Sequence, residues 1–211
     1  MIDWRVMHGE IIRDFLYFLN AKSNKFILKG GISLMLCYGL TRFSEDIDLD
    51  GFDNKNFFKI VDSFIQMYKN KYQGISVRRA EDTDTVKRVF IHYGGSKPLK
   101  VEVSYRRTSI SEKEYDFINN VFVYNISSIL SMKLNAFNHR DKIRDLYDIT
   151  FIYIRYKDEL NSGLLFMLRD AVAYKGLEQF DYLIRTQSDE LIDNDKLAEE
   201  FLSMYYDLGL S

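Results

Sequence analysis

The chain has 211 residues, 46% hydrophobic and 28% charged, with a formal net charge of -2. That length supports one sizeable core with a helical addition, and the near-neutral balance excludes holding nucleic acid by bulk charge, so any RNA contact must be local. A single cysteine, Cys37, excludes an intramolecular disulfide, and His8, His92 and His139 are too scattered to form a Cys/His metal site.

In chain order, Trp4, Met7, Ile11, Ile12, Phe15 and Phe18 recur at helical spacing and predict an amphipathic helix over Asp3 to Leu19. Phe26, Ile27 and Leu28 then form a short apolar run of strand type, broken by Gly30 and Gly31. Ile32 to Leu40 return to helical spacing, with Cys37 on that helix as a buried structural thiol. Asp46-Ile47-Asp48-Leu49 is expected as a second strand, and Asn56 to Tyr72 as a third helix. Strands follow at Ile75 to Arg79 and Lys87 to Tyr93, joined as a hairpin through Glu81-Asp82-Thr83-Asp84. Gly94 to Pro98 makes a turn, and in the strand Leu99 to Tyr105, Val101 and Val103 face one way while Lys100, Glu102 and Ser104 face the other. From Ile126 onward the period is helical. The expectation is an α+β (α/β) protein, with a mixed-sheet region over residues 1-125 and a helical region over 126-211. No apolar run is long enough to cross a bilayer and Met1 to Glu10 lacks a basic-then-apolar opening, so a cytoplasmic protein without membrane contact is expected.

Phe26 to Phe52 carries the chemistry. Side chains at i and i+2 of a strand share a face, which puts Asp46 beside Asp48. Two carboxylates so close repel unless a cation lies between them, and hard oxygen ligands suit Mg2+ or Mn2+. Backbone N-H groups at Gly30, Gly31 and the following helix N-terminus form a natural phosphate cradle. Each half has a plainer reading, a simple turn for the glycines and an acidic strand face for the aspartates. Aspartate is depleted in strands, however, so the alternation with Ile47 and Leu49 calls for a reason beyond solubility.

The run Lys29-Gly30-Gly31-Ile32-Ser33-Leu34, followed by Arg42-Phe43-Ser44-Glu45-Asp46-Ile47-Asp48-Leu49, resembles the opening signature of the nucleotidyltransferase superfamily, specifically its AbiEii/AbiGii abortive-infection toxins. Ser127 to Tyr156 is similar to that family's helical lysine motif followed by its Arg-Asp-x-Tyr-Asp helix. The resemblance implies a nucleotidyltransferase-like mixed sheet flanked by helices, with NTP as substrate and Mg2+ (or Mn2+) held by Asp46, Asp48 and a third acid. Glu102 is the candidate for that acid, as ligand or as base, and its plainer reading is an exposed strand residue paired with a neighbouring cation. The resemblance also implies that Lys133 and Asp145 belong to the active site, Lys133 neutralising a triphosphate. The plain alternatives are a snorkelling surface lysine, and an Asp145 and Asp148 that merely charge a helix N-terminus. Ser33 stands one place later than in many superfamily members. Arg42 either approaches the phosphates or pairs with Glu45 or Asp46, and Tyr147 reads as packing.

The implied activity is transfer of NMP from an NTP to an acceptor hydroxyl, with pyrophosphate leaving. The resemblance implies an RNA acceptor such as a tRNA end, and a cognate antitoxin that masks the site. Arg78, Arg79, Lys87, Arg88, Arg106 and Arg107 supply either a local RNA track or only a solvated strand face. A metal-dependent nuclease is the main alternative, although it gives the glycine turn no task and has Ser104 where its lysine is expected. A catalytically silent nucleotide-binding or antitoxin-binding module is the other.

Overall fold

The computed structural model describes residues 3-52 and 56-210. The outermost residues of the two predicted regions lie outside them. The chain divides into a sheet unit, made of the residues up to Gly39 with Phe43-Tyr124, and a helical unit, made of Leu40-Arg42 with the residues from Asn125 onward.

The sheet unit begins with α1 (Trp4-Lys22), whose N-cap Asp3 side chain accepts the Arg5 N-H at 3.0 Å. Then come β1 (Phe26-Lys29), α2 (Gly30-Cys37), β2 (Ile47-Gly51), α3 (Phe57-Tyr68), β3 (Ser76-Asp82), β4 (Val86-His92), β5 (Leu99-Ser104), β6 (Tyr115-Ile118) and β7 (Val121-Tyr124). The strands form one mixed sheet in the order β3-β4-β5-β2-β1-β7-β6. β2 runs antiparallel to β1 and parallel to β5, while β7 runs parallel to β1. Val101 and Val103 are fully buried and alternate with half-buried Lys100, Glu102 and Ser104, so β5 turns one face to the core and the other away, as its period of two predicts. α1 and α3 pack together through Phe15, Phe18 and Phe64, with ring centroids 5.2 and 5.6 Å apart.

The structure departs from the sequence reading in several places: α2 ends at Cys37 and α3 at Tyr68, short of the expected bounds, and β2 begins at Ile47, after Asp46. No turn separates β1 from α2, because Gly30, with φ +79°, converts strand directly into helix. β3 continues through Glu81 and Asp82, past an irregularity between Arg79 and Glu81, so the hairpin turn is shorter than expected. β6 and β7 were not anticipated. They are joined by Asn119 and Asn120, both with positive φ (51° and 62°), a two-residue hairpin for which Asn is well suited.

The helical unit contains α4 (Ile126-His139), α5 (Ile143-Tyr156), α6 (Ser162-Thr186) and α7 (Asn194-Asp207). Asn125 caps α4 and Asn161 caps α6, each accepting an N-H at 2.9 Å. α5 is buried along most of its length, from Ile143 to Tyr153. Phe180 of α6 stacks on Phe201 of α7 with centroids 4.2 Å apart. α6 is broken at Gly176, whose φ of 65° and ψ of 179° are not helical.

Candidate active site

The parallel pairing of β2 with β5 sets Asp48 directly beside Glu102, and the antiparallel pairing of β1 with β2 sets Lys29 opposite Asp48. Asp46 lies just ahead of β2 and is exposed. Glu102 accepts Arg88 Nε at 2.7 Å, and Asp46 accepts Lys100 Nζ at 3.3 Å. The strand pairing thus aligns two of the three acids singled out in the sequence, Asp48 and Glu102, while Asp46 stands just outside it. Asp50, two residues beyond Asp48, is different: it is buried and accepts Lys29 Nζ at 2.5 Å and the Tyr124 hydroxyl at 2.9 Å. Arg107 in turn donates to the Tyr124 hydroxyl at 3.1 Å. Asp50 is therefore a satisfied internal anion that braces this part of the sheet.

Gly30 brings the start of α2 against this row. A Cβ at Gly30 would lie 3.0 Å from Asp48 Oδ2, so close approach as well as positive φ requires glycine there. No side chain caps α2, and its first N-H groups have no intrahelical acceptor. Ser33 is buried and its hydroxyl donates to the Gly30 carbonyl at 2.7 Å, fastening the first turn. Gly31 follows as the second residue of α2, so the left-handed backbone falls on the first glycine of the pair.

Burial pushes the Asp48 carboxyl above its ordinary range, and the neighbouring Glu102 and Asp46 push it further, against the pull of Lys100 and Lys29. That is the signature of negative charge short of compensation. The donors are hard carboxylate oxygens of the kind that hold Mg2+ or Mn2+, and on chemistry and strand register they fit such an ion. Among the described residues, however, no three such groups are already gathered as a metal-holding cluster. Lys100 and Arg88 hold Asp46 and Glu102 in ion pairs, so metal entry requires these side chains to turn. Burial pushes the half-buried Cys37 thiol up to about 12, which favours its protonated form.

The helical unit contains a second charged cluster. Lys133 Nζ lies 2.6 Å from Asp148 Oδ2 and 3.8 Å from Asp145 Oδ1. Arg42 meets Asp148 with a two-pronged contact, Nε to Oδ1 and Nη2 to Oδ2, both at 2.7 Å. Arg140 grips Asp145 in the same way at 2.6 and 2.9 Å. The side chains of Lys133, Asp145 and Asp148 are 12%, 1% and 0% exposed, so Lys133 is no snorkelling surface lysine and the aspartates do more than charge a helix end. Burial pushes Asp148 upward, but Lys133 and Arg42 outweigh it and hold the carboxyl below its ordinary range. Tyr147 is buried, with its hydroxyl 3.0 Å from that of Thr41.

Sequence reasoning misses Asp148 as the centre of this cluster, together with its pairing to Arg42, for which the sequence offers either the phosphates or Glu45 or Asp46. The available signal was position: Asp148 stands among Leu146, Tyr147 and Ile149, where an aspartate must be buried and therefore paired. The basic strand residues are largely committed locally. Arg79 pairs with Asp62 at 2.7 Å, Lys87 with Asp82, Arg88 with Glu81 and Glu102, and Arg107 with Glu114 at 2.8 Å, while Arg78 lies over the Phe90 ring. That pattern matches a solvated strand face better than an RNA track.

No curated protein matches the chain. Among solved structures, JHP933 from Helicobacter pylori is similar with a TM-score of 0.81 and 29% identity, over 99% of this chain and 93% of that one. MenT4, a nucleotidyltransferase toxin from Mycobacterium tuberculosis, shares the fold with a TM-score of 0.57 and 17% identity, over 98% of this chain and 84% of that one. The model of the family described as "Nucleotidyl transferase AbiEii toxin, Type IV TA system" matches residues 14-208. The chain therefore belongs to the AbiEii nucleotidyltransferase toxin family and is a nucleotidyltransferase.

Proposed function

We propose that the protein is a metal-dependent toxin that transfers NMP from an NTP to a hydroxyl of an RNA acceptor, such as a tRNA end, and is opposed by a cognate antitoxin. The observation that carries this reading is the uncapped start of α2 held against the Asp48-Glu102 row by Gly30. The N-H groups attract a phosphate that the carboxylates repel unless a cation lies between, and a nucleotide bound with a divalent ion satisfies both.

The N-H groups of Gly30, Gly31 and the rest of the first turn receive phosphate oxygens, with Ser33 keeping that turn in shape. Asp46 and Asp48 hold the ion, and Glu102 serves as a further ligand or accepts the acceptor's proton. Bound Mg2+ or Mn2+ supplies charge neutralisation at the reacting and leaving oxygens. The acceptor oxygen bonds to the α phosphorus, the bond from that phosphorus to the β-bridging oxygen breaks, the hydroxyl proton passes to a carboxylate, and pyrophosphate departs. Within the helical unit Asp148 and Asp145 set Lys133, the residue that family resemblance assigns to neutralising the triphosphate, and Arg42 fixes Asp148 in place. Family membership favours this transfer over a metal-dependent nuclease.

The test is incubation of the protein with each labelled NTP, Mg2+ or Mn2+ and total RNA. Label in RNA that disappears with chelator is expected. Metal-dependent RNA cleavage without NTP incorporation would instead support the nuclease. Lys133→Ala is expected to weaken NTP use strongly and Lys133→Arg to restore it only in part, because a planar fork does not reproduce a compact ammonium. Near-normal turnover in the alanine variant would remove Lys133 from the mechanism.

A further inference from the structure

The helical unit also carries a cavity of about 620 Å3, walled by the segment that leads into α5 and the segment that follows α6. Arg140, Lys142, Arg144, Gln187 and Ser188 line it, over Asp145 and Asp189. Its ion pairs share an orientation. Arg140 is 57% exposed above an Asp145 that is 1% exposed, and Arg144 is 40% exposed above an Asp189 that is 13% exposed. A ligand entering the cavity therefore meets guanidinium groups while the carboxylates lie beneath them. Lys142 is exposed and has no carboxylate partner among the described residues. Gln187 ties the two walls together, accepting the Ile143 N-H at 3.0 Å and donating to the Asp141 carbonyl at 2.7 Å.

Tyr182 is exposed one turn before Thr186, a lining residue whose hydroxyl donates to the Tyr182 carbonyl at 2.7 Å. Outward guanidinium groups suit phosphate, and an exposed ring one turn from the lining suits an unpaired base. A lone inorganic phosphate would leave the ring and most of the volume unused.

We propose that this cavity, with Tyr182, binds a single-stranded stretch of the acceptor RNA, with backbone phosphates on Arg140, Lys142 and Arg144 and a base on the tyrosine. The proposal rests on the RNA-acceptor reading given above and assigns that acceptor its docking site. Binding of a phosphate by Arg140 would also draw on the guanidinium that now grips Asp145, linking RNA occupancy to the aspartate that neighbours Lys133.

The test compares wild type, Lys142→Ala and Tyr182→Ala in the full chain by fluorescence anisotropy on a labelled single-stranded RNA across a salt series, by KM for RNA in label incorporation, and by thermal stabilisation with NTP and Mg2+. Both substitutions are at exposed side chains, so the fold is expected to hold. Lys142→Ala should lower the slope of log affinity against log salt by about one, and Tyr182→Ala should weaken RNA binding about fivefold or more. Both should raise the KM for RNA more than they lower kcat. RNA labelling with an unchanged KM and salt slope in both variants would overturn the docking site while leaving the transferase reading intact. Loss of NTP stabilisation in the variants would give the cavity to the nucleotide and overturn the proposal. A wild type that binds NTP but neither binds nor labels RNA would overturn both readings at the acceptor.

Discussion

Asp48 and Asp148 are both aspartates largely withdrawn from water, yet their surroundings move them in opposite directions. On the sheet, Asp48 stands beside Glu102 and near Asp46, and burial with these acids pushes its carboxyl up. In the helical unit, Asp148 is enclosed by Lys133 and Arg42, which together pull its carboxyl down despite complete burial. A carboxylate whose charge is already balanced is structural in its first effect. One whose charge is unbalanced is poised for a cation that arrives later.

The largest expected effect breaks the balanced side. Asp148→Asn takes away the buried carboxylate that both Arg42 and Lys133 contact and should cost about 3-5 kcal/mol of folding stability, read as a fall in urea midpoint or Tm. A loss under about 1 kcal/mol would show that water reaches the cluster. On the other side, Asp48→Asn should reduce transfer about a hundredfold or more while leaving stability unchanged or slightly raised, because the amide removes a repelled charge. Full activity with metal still required would take Asp48 out of the reaction. Next in size is Gly30→Ala, which adds a Cβ at 3.0 Å from Asp48 Oδ2 and forces an alanine to φ +79°. It should cost about 1-3 kcal/mol and impair NTP-dependent stabilisation.

The strand pattern of β5 and the β3-β4 hairpin were legible because a period of two is a local property. So was the strand-glycine-helix order around Gly30. Which residues face each other across the sheet was not, since the parallel pairing of Asp48 with Glu102 follows from the threading of the chain. β7 escaped notice because Val121 to Tyr124 is only four residues long, and its turn uses Asn119-Asn120 in place of glycine. In the helical unit, the spacing of Asp145 and Asp148 was visible, but burial was not, and burial is what turns a surface charge into the centre of a cluster.

The smallest expected effect sharpens the comparison through pH. Asp148, with its folded pKa depressed, contributes stability that is present above the unfolded carboxylate value of about 3.9 and is lost as pH falls through its lower folded value. Asp48, with its folded pKa raised, works against folding once ionised, and that penalty fades as pH falls through its raised folded value. Stability measured against pH should therefore flatten on the acid side in Asp148→Asn and steepen in Asp48→Asn, relative to wild type. Parallel curves for all three proteins would mean that neither group is displaced from its solution value.

The parallel ladder between β2 and β5 also sets a schedule for assembly. Asp48 sits early in the chain, but Glu102 comes after α3 and the whole β3-β4 hairpin, so the acid row cannot form from a partial chain that ends before Leu99. Pairing across such a separation carries a loop-closure cost and belongs to the slower stages of folding. During synthesis, the aspartate pair is made well before its third acid exists, and a chain still growing through β4 is chemically incomplete. Pulsed hydrogen exchange should show the β2 amides gaining protection together with those of β5; protection of β2 ahead of β5 would show that the pairing with β1 is enough to hold it.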